Sequence, residues 1–185
     1  MFKKILFCTD FSEDAHWAFT YAFHLAKNFK SKLLILHVTP EPVHPEQLSI
    51  YFPQEKMEEL RKSQKKEIDH QLETHYIKKM KKFKNYKVIV KEGEPFVEIV
   101  KMAKKESVKL IVMGTHGRTG LDHILFGSTA EKVVRKSPSP PDDQAPWKKI
   151  YDVIRRCRRD SERCWGYENK PIPYSTITDH RHNHY

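Results

Sequence analysis

Val108-Lys109-Leu110-Ile111-Val112-Met113-Gly114-Thr115-His116-Gly117-Arg118 is an apolar run that breaks into two closely spaced glycines. A continuous apolar stretch of this length fits a strand buried on both faces, and the glycines fit a loop opening at its carboxyl end. Regular structure resumes at Gly127-Ser128-Thr129-Ala130-Glu131, ahead of Val133 and Val134. Ser128-x-x-Glu131 before an apolar pair has the spacing of a capping box, which predicts a helix whose first amides, those of Ser128, Thr129 and Ala130, point outward. A helix N-terminus of this kind attracts phosphate. The same strand-loop-helix junction needs glycine and a capping serine even if it binds nothing.

Working outward, the same alternation repeats. Phe2 to Thr9 is a short apolar run ending at Thr9-Asp10, and Ser12-Glu13-Asp14 supplies an N-cap hydroxyl and first-turn acids for a helix through Ala15, Phe19, Ala22, Phe23 and Ala26 to about Lys30. Lys32 to Val38 is a second buried strand, followed by a loop carrying Pro40, Pro42, Pro45 and Pro53. From Gln54, the positions Met57, Leu60, Ile68, Leu72, Tyr76, Met80 and Phe83 predict a long, solvated amphipathic helix. Tyr86 to Val90 alternates as a strand, Gly93 ends it, and Pro95 takes the first position of a helix through Phe96, Ile99, Val100 and Ala103. Four strands alternating with helices call for an α/β fold, an open parallel sheet with right-handed crossovers and helices on both faces. Ligands in such sheets bind at the carboxyl ends of the strands.

A chain of 185 residues with 38% hydrophobic content supports one sizeable core and leaves no room for a second full domain. The net charge of +10 favours anionic partners, and 25 of the 34 basic and 17 of the 24 acidic residues lie at or before Lys136, so the excess belongs mainly to the folded part. Ile5-Leu6-Phe7-Cys8 is far too short for a secretory signal, and no run approaches the ~20 apolar residues of a membrane span, so a cytoplasmic protein with no membrane partner is expected. Cys8, Cys157 and Cys164 form no C-x-x-C pair, which argues for reduced thiols rather than a disulfide framework or a zinc ribbon. Ser137-Pro138-Ser139-Pro140-Pro141 ends the last clear helix, and the domain boundary is placed there: a domain over 1–138 and an extension over 139–185.

Gly114-x-x-Gly117, nine intervening residues and then Gly127-Ser128 resembles the G-2x-G-9x-G-(S/T) signature of the ATP-binding branch of the universal stress proteins. The resemblance covers residues 1 to about 138 and includes the opening Ile5 to Ser12, Leu36-His37-Val38 and Gly93-Glu94-Pro95. It implies a Rossmann-like fold, akin to the adenine nucleotide alpha hydrolases, that binds ATP, with Mg2+ accompanying the phosphates. It further implies that Asp10, beside Thr9, contacts the nucleoside as acceptor for a ribose hydroxyl, and that the backbone of Val38 meets adenine. Gly114, Gly117, Gly127, Ser128 and Thr129 match the phosphate cradle, with Met113 beside it. For Asp10, a role at the start of the first helix is the competing reading. Arg118 adds a charge-assisted phosphate contact or is merely solvated.

Two departures from the family stand out. Cys8 occupies a position where the family often has proline, and fits a small packing residue better than a reactive thiol. After Pro138 the hydrophobic fifth strand that usually completes the sheet and pairs across a homodimer is replaced by Ser139-Pro140-Pro141-Asp142-Asp143, with no Val/Ile run following. The tail, with a weak helical stripe at Trp147, Ile150, Tyr151 and Ile154, reads as a divergent or out-of-frame C-terminus, and its loss of the strand weakens dimerisation.

His180, His182 and His184 lack a carboxylate or thiol at ligand spacing, so no metal site is expected; His116 reads as an exposed loop histidine. Lys78-Lys79-Met80-Lys81-Lys82-Phe83-Lys84 reads as a solvated helix face, and no nucleic-acid motif accompanies it. Neither G-x-x-x-x-G-K-[ST] nor a nucleophile-base pair is present, so no catalytic residue is assigned and hydrolysis, if any, is slow. The expected function is that of an ATP-binding, nucleotide-dependent regulator in stress response. The alternatives are a nucleotide-free dimerisation or scaffolding module and a weak ATPase using Asp10 or Ser128.

Overall fold

The computed structural model describes residues 2–41, 53–114 and 127–136. The elements run β1 (Lys4–Thr9), α1 (Glu13–Asn28), β2 (Lys32–Thr39), α2 (Gln54–Leu72), β3 (Tyr86–Glu92), α3 (Pro95–Lys105), β4 (Leu110–Met113) and α4 (Ser128–Lys136). Beyond Leu72, α2 widens into a π-helical turn at Glu73–Ile77 and closes with Lys78–Met80. The expected boundary at Pro138, the extension after it, and the loop with Gly117 and Arg118 lie outside the described residues.

The four strands form one parallel sheet in the order β3-β2-β1-β4. The chain moves outward from β1 through β2 to β3, then crosses back to lay β4 on the other side of β1. In open parallel sheets such a reversal, at the carboxyl ends of β1 and β4, is where ligands bind. The observed sheet confirms the α/β architecture with helices on both faces.

Alternate residues of β1 serve the two faces. Phe7 points toward α1 and the end of α2, with its ring centroid 5.4 Å from Phe19 and 5.2 Å from Tyr76. Leu6 and Cys8 belong to the opposite cluster, which gathers Leu34, Leu36, Ile99, Met102 and Val133. With both faces covered, Ile5, Leu6, Phe7 and Leu33 to Ile35 are fully buried, which explains their uninterrupted apolar run. Each such side chain contributes about 1.5–3 kcal/mol relative to exposure.

β1 and β4 start later than the apolar runs suggest, while β2 and β3 start where expected. The Val108 amide donates to Ala103 O at 2.9 Å at the end of α3, and Ser107 between them has φ 52°, so the fourth ladder begins at Leu110. Phe2 lies ahead of β1, where its carbonyl accepts the Ser31 hydroxyl and its ring meets Phe29 edge-on. β2 and β3 each extend beyond the expected end, to Thr39 and Glu92, because these residues remain in register with one another.

Candidate functional site

β1 ends in Thr9, a buried residue whose hydroxyl accepts the Phe11 amide at 3.0 Å and is hydrogen-bonded to the Tyr76 hydroxyl at 2.6 Å. The Thr9 carbonyl meets His37 Nδ1 at 2.8 Å. Thr9 is thus committed to joining β1, β2 and α2. Phe11 sits in the left-handed region at φ 64°, uncommon for a bulky side chain, with its ring 4.4 Å from His37 and stacked at 6.2 Å on Tyr76. The turn between β1 and α1 is therefore clamped from below by an aromatic cluster.

Asp10, half-buried, follows in that turn. Its Oδ1 accepts both the Ser12 amide at 3.0 Å and the Ser12 hydroxyl at 2.6 Å. The helix cap itself is Ser12, whose Oγ accepts the Ala15 amide at 3.2 Å. Asp10 orients the cap rather than providing it, and these bonds hold its carboxylate in the turn after β1.

On the neighbouring strand β4, Met113 pairs with Cys8 in register and Gly114 follows. A Cβ on Gly114 would lie 3.0 Å from Ala15 N, Asp14 C and Asp14 Cβ. The glycine is required by the close approach of β4 to the first turn of α1, a packing reason independent of any phosphate cradle. Val38 and Met113 are each 9% exposed, at the ends of β2 and β4.

The expected capping box takes a different form. The Glu131 amide donates to Gly127 O at 3.0 Å, so Gly127 provides the first carbonyl of α4 and the helix begins at Ser128, one residue earlier than the Ser-x-x-Glu pattern implies. The Glu131 carboxylate turns outward to Arg135 at 3.0 Å. The consequence for Ser128, Thr129 and Ala130 is unchanged: first-turn amides have no intrahelical acceptor. Ala130 belongs to the same buried cluster as Cys8, Val38 and Met113, which brings this turn to the carboxyl ends of β1, β2 and β4. α4 is tied to α3 by Lys132 and Lys136 over the Phe96 ring at 5.0 and 5.3 Å.

Of the residues proposed from the sequence, Thr9, Asp10, Val38, Met113, Gly114, Gly127, Ser128 and Thr129 are described, all at strand carboxyl ends, in the β1–α1 turn or at the start of α4; Gly117 and Arg118 are outside the described residues. Tyr76 and His37, which secure Thr9, were not singled out. The signal for Tyr76 is the spacing of Ile68, Leu72, Tyr76 and Met80, four residues apart each time. Four residues overshoot the 3.6-residue α-turn, and the wide π-turn absorbs the drift. Burial pushes the Tyr76 hydroxyl up to about 12, so it stays protonated in its bond with Thr9. Burial also pushes the Cys8 thiol well above its ordinary range, consistent with a packing role.

The model of the universal stress protein family matches residues 1–140. The chain belongs to that family. It is 35% identical over 154 residues to Universal stress protein MJ0577 of Methanocaldococcus jannaschii, covering 76% of this chain and 93% of the relative. Universal stress protein YxiE of Bacillus subtilis is 37% identical over 143 residues, covering 76% of this chain and 97% of the relative. Among solved structures, hypothetical protein MJ0577 superposes with a TM-score of 0.60 at 38% identity, over 76% of this chain and 93% of that one. The universal stress protein UspA from Lactobacillus plantarum, at 24% identity and a TM-score of 0.58, shares the fold over 74% of this chain and 92% of its own.

Proposed function

We propose that this universal stress protein binds ATP across the carboxyl ends of β1 and β4 and acts as a nucleotide-dependent regulator in stress response. The observation that carries the reading is the first turn of α4, whose Ala130 packs in the same buried cluster as Cys8 and Met113, on the two strands between which strand order reverses. The spacing of Gly114, Gly117 and Gly127-Ser128 supports a phosphate cradle there, and Arg118 adds charge to it. Asp10 accepts a ribose hydroxyl and the Val38 backbone meets adenine.

The donor set fits a nucleotide in both charge and type: amides and hydroxyls for phosphate, a carboxylate for ribose. Asp10, Glu13 and Asp14 place negative charge at the start of α1. A nucleoside triphosphate approaching them gains from a divalent cation that screens the repulsion, so Mg2+ accompanies it. Regulation requires that the nucleotide bind two states of the protein with different affinity, as between free and partner-bound forms.

The test is calorimetric titration of the purified full chain with MgATP, against a Ser128→Pro variant. Proline is tolerated at the first position of a helix, so the substitution removes one amide donor while leaving α4 intact. Losing a hydrogen bond to a charged group weakens binding by about tenfold or more. A folded protein with no adenine nucleotide after acid extraction and no titratable heat would replace this reading with that of a nucleotide-free interaction module.

A further inference from the structure

In a parallel sheet every strand starts at one end, and every crossover helix finishes there. The four segments at that end, 2–4, 27–32, 81–87 and 104–109, carry twelve lysines, no arginine and a single acid, Glu106. At the opposite end, segments 10–14, 39–41 and 91–98 carry seven acids and one lysine. The fold thus converts a dispersed positive charge into a pole, and the run at 78–84 is only one part of it.

Contacts knit the segments together. Lys4 and Lys32 are register partners on β1 and β2, and Lys32 N donates to Lys3 O at 2.9 Å. Lys4 Nζ meets Glu106 at 2.7 Å, bringing in the end of α3. That hydrogen bond, with the charges of Lys4, Lys87 and Lys32 around it, holds the Glu106 carboxyl below the usual carboxylate range. The Lys27 ammonium lies 5.5 Å above the Phe23 ring, which meets Phe83 edge-on at 5.5 Å, so the end of α1 adjoins the segment after α2. Lys30 and Lys81 leave their helices in the left-handed region, at φ 53° and 42°, positions where glycine is the less strained choice. Lysines near helix C-termini favour the helix dipole, but that accounts for the last turns and not for Lys87 on β3 or for Lys3 and Lys109 just ahead of β1 and β4.

We propose that this amino-terminal end of the sheet docks on an anionic phospholipid surface, by adsorption of its lysines onto headgroup phosphates with no segment entering the hydrocarbon. Three features favour a lipid surface over nucleic acid. The pole has no arginine, the residue whose planar fork reads phosphate and base edges bidentately. Its aromatic rings are turned on one another, Phe2 on Phe29 and Phe83 on Phe23, rather than presented for base stacking. Helix C-termini, not amide-bearing N-termini, face outward here. Flexible ammonium groups spread across one end suit a diffuse layer of headgroups, each contributing near the surface. Among the described residues no helix is long and apolar enough to cross a membrane, as adsorption requires none.

The experiment is co-sedimentation of the full chain with phosphatidylglycerol vesicles and with phosphatidylcholine vesicles, at low and high salt. Lys3→Glu, Lys82→Glu and Lys109→Glu are combined in one variant, because these lysines are exposed and lie outside every helix and strand. An unchanged thermal transition and unchanged nucleotide affinity confirm that the variant is folded. The expected result is binding to phosphatidylglycerol alone, lost at high salt and reduced on the order of a hundredfold in the variant. Equal sedimentation of variant and parent, or no binding to anionic vesicles, overturns the proposal. So does tighter retention of duplex DNA than of phosphatidylglycerol at the same salt, which assigns the pole to nucleic acid.

Discussion

Thr9 closes a buried strand with a polar side chain, and three elements meet on it. Its hydroxyl is hydrogen-bonded to the Tyr76 hydroxyl at 2.6 Å and accepts Phe11 N–H, while its carbonyl meets His37. Tyr76→Phe keeps the ring contacts with Phe7 and Phe19 and removes only the hydroxyl. The expected cost is about 1 kcal/mol, read from the urea midpoint with the slope unchanged. His16 lies beside the same cluster, its ring 4.3 Å from His75, and its Nε2 is buried without a hydrogen-bond partner. Burial, then the neighbouring His75 and Lys79, lowers its pKa below the ordinary 6.5. The unfolded chain therefore takes up this proton first, so native stability falls as pH drops below 6.5 and continues falling to the folded-state pKa. A His16→Gln variant loses less stability over that window, which denaturant midpoints measured across pH will show; an unchanged pH dependence would assign the effect to other groups.

The elements show which parts of the fold were legible from sequence. β1 and β2 read clearly because both faces are covered, so every residue from Ile5 to Phe7 and from Leu33 to Ile35 had to be apolar. The start of β4 was misplaced by two residues, since Val108 is apolar like its neighbours but its amide is taken by the end of α3. Apolar content reports burial and not which carbonyl an amide meets. α2 read as a uniform helix, whereas its buried part begins at Leu72 and depends on a π-turn that only the four-residue spacing foreshadows. The positions of Asp10 after β1 and of Gly114 after β4 were legible, but the Gly127 carbonyl and the packing against Asp14 were not, because both depend on tertiary placement. Gly114→Ala tests that placement: the backbone at Asp14 and Ala15 cannot yield as a flexible side chain would, so the variant loses about 1–3 kcal/mol by thermal or urea unfolding. A loss in nucleotide affinity for this variant would consequently report on packing as well as on binding.

At the scale of the whole molecule, one topological fact organises both ends. Parallel strands place all their carboxyl ends together, where the reversal of strand order and the first turn of α4 form the candidate nucleotide site. They place all their amino ends together as well, where lysines from strands and helix ends form the basic pole. The two surfaces lie at opposite ends of the same sheet, so a nucleotide at one and an anionic surface at the other need not compete for the same residues. The most direct test of the central claim is the calorimetric titration of the full chain with MgATP, run in parallel on Ser128→Pro. Stoichiometric binding by the parent, weakened about tenfold or more in a variant with an unchanged thermal transition, is the predicted result. Equal affinity in the two proteins would contradict the placement of the phosphates on α4, and a folded parent that binds no adenine nucleotide would contradict the nucleotide reading altogether.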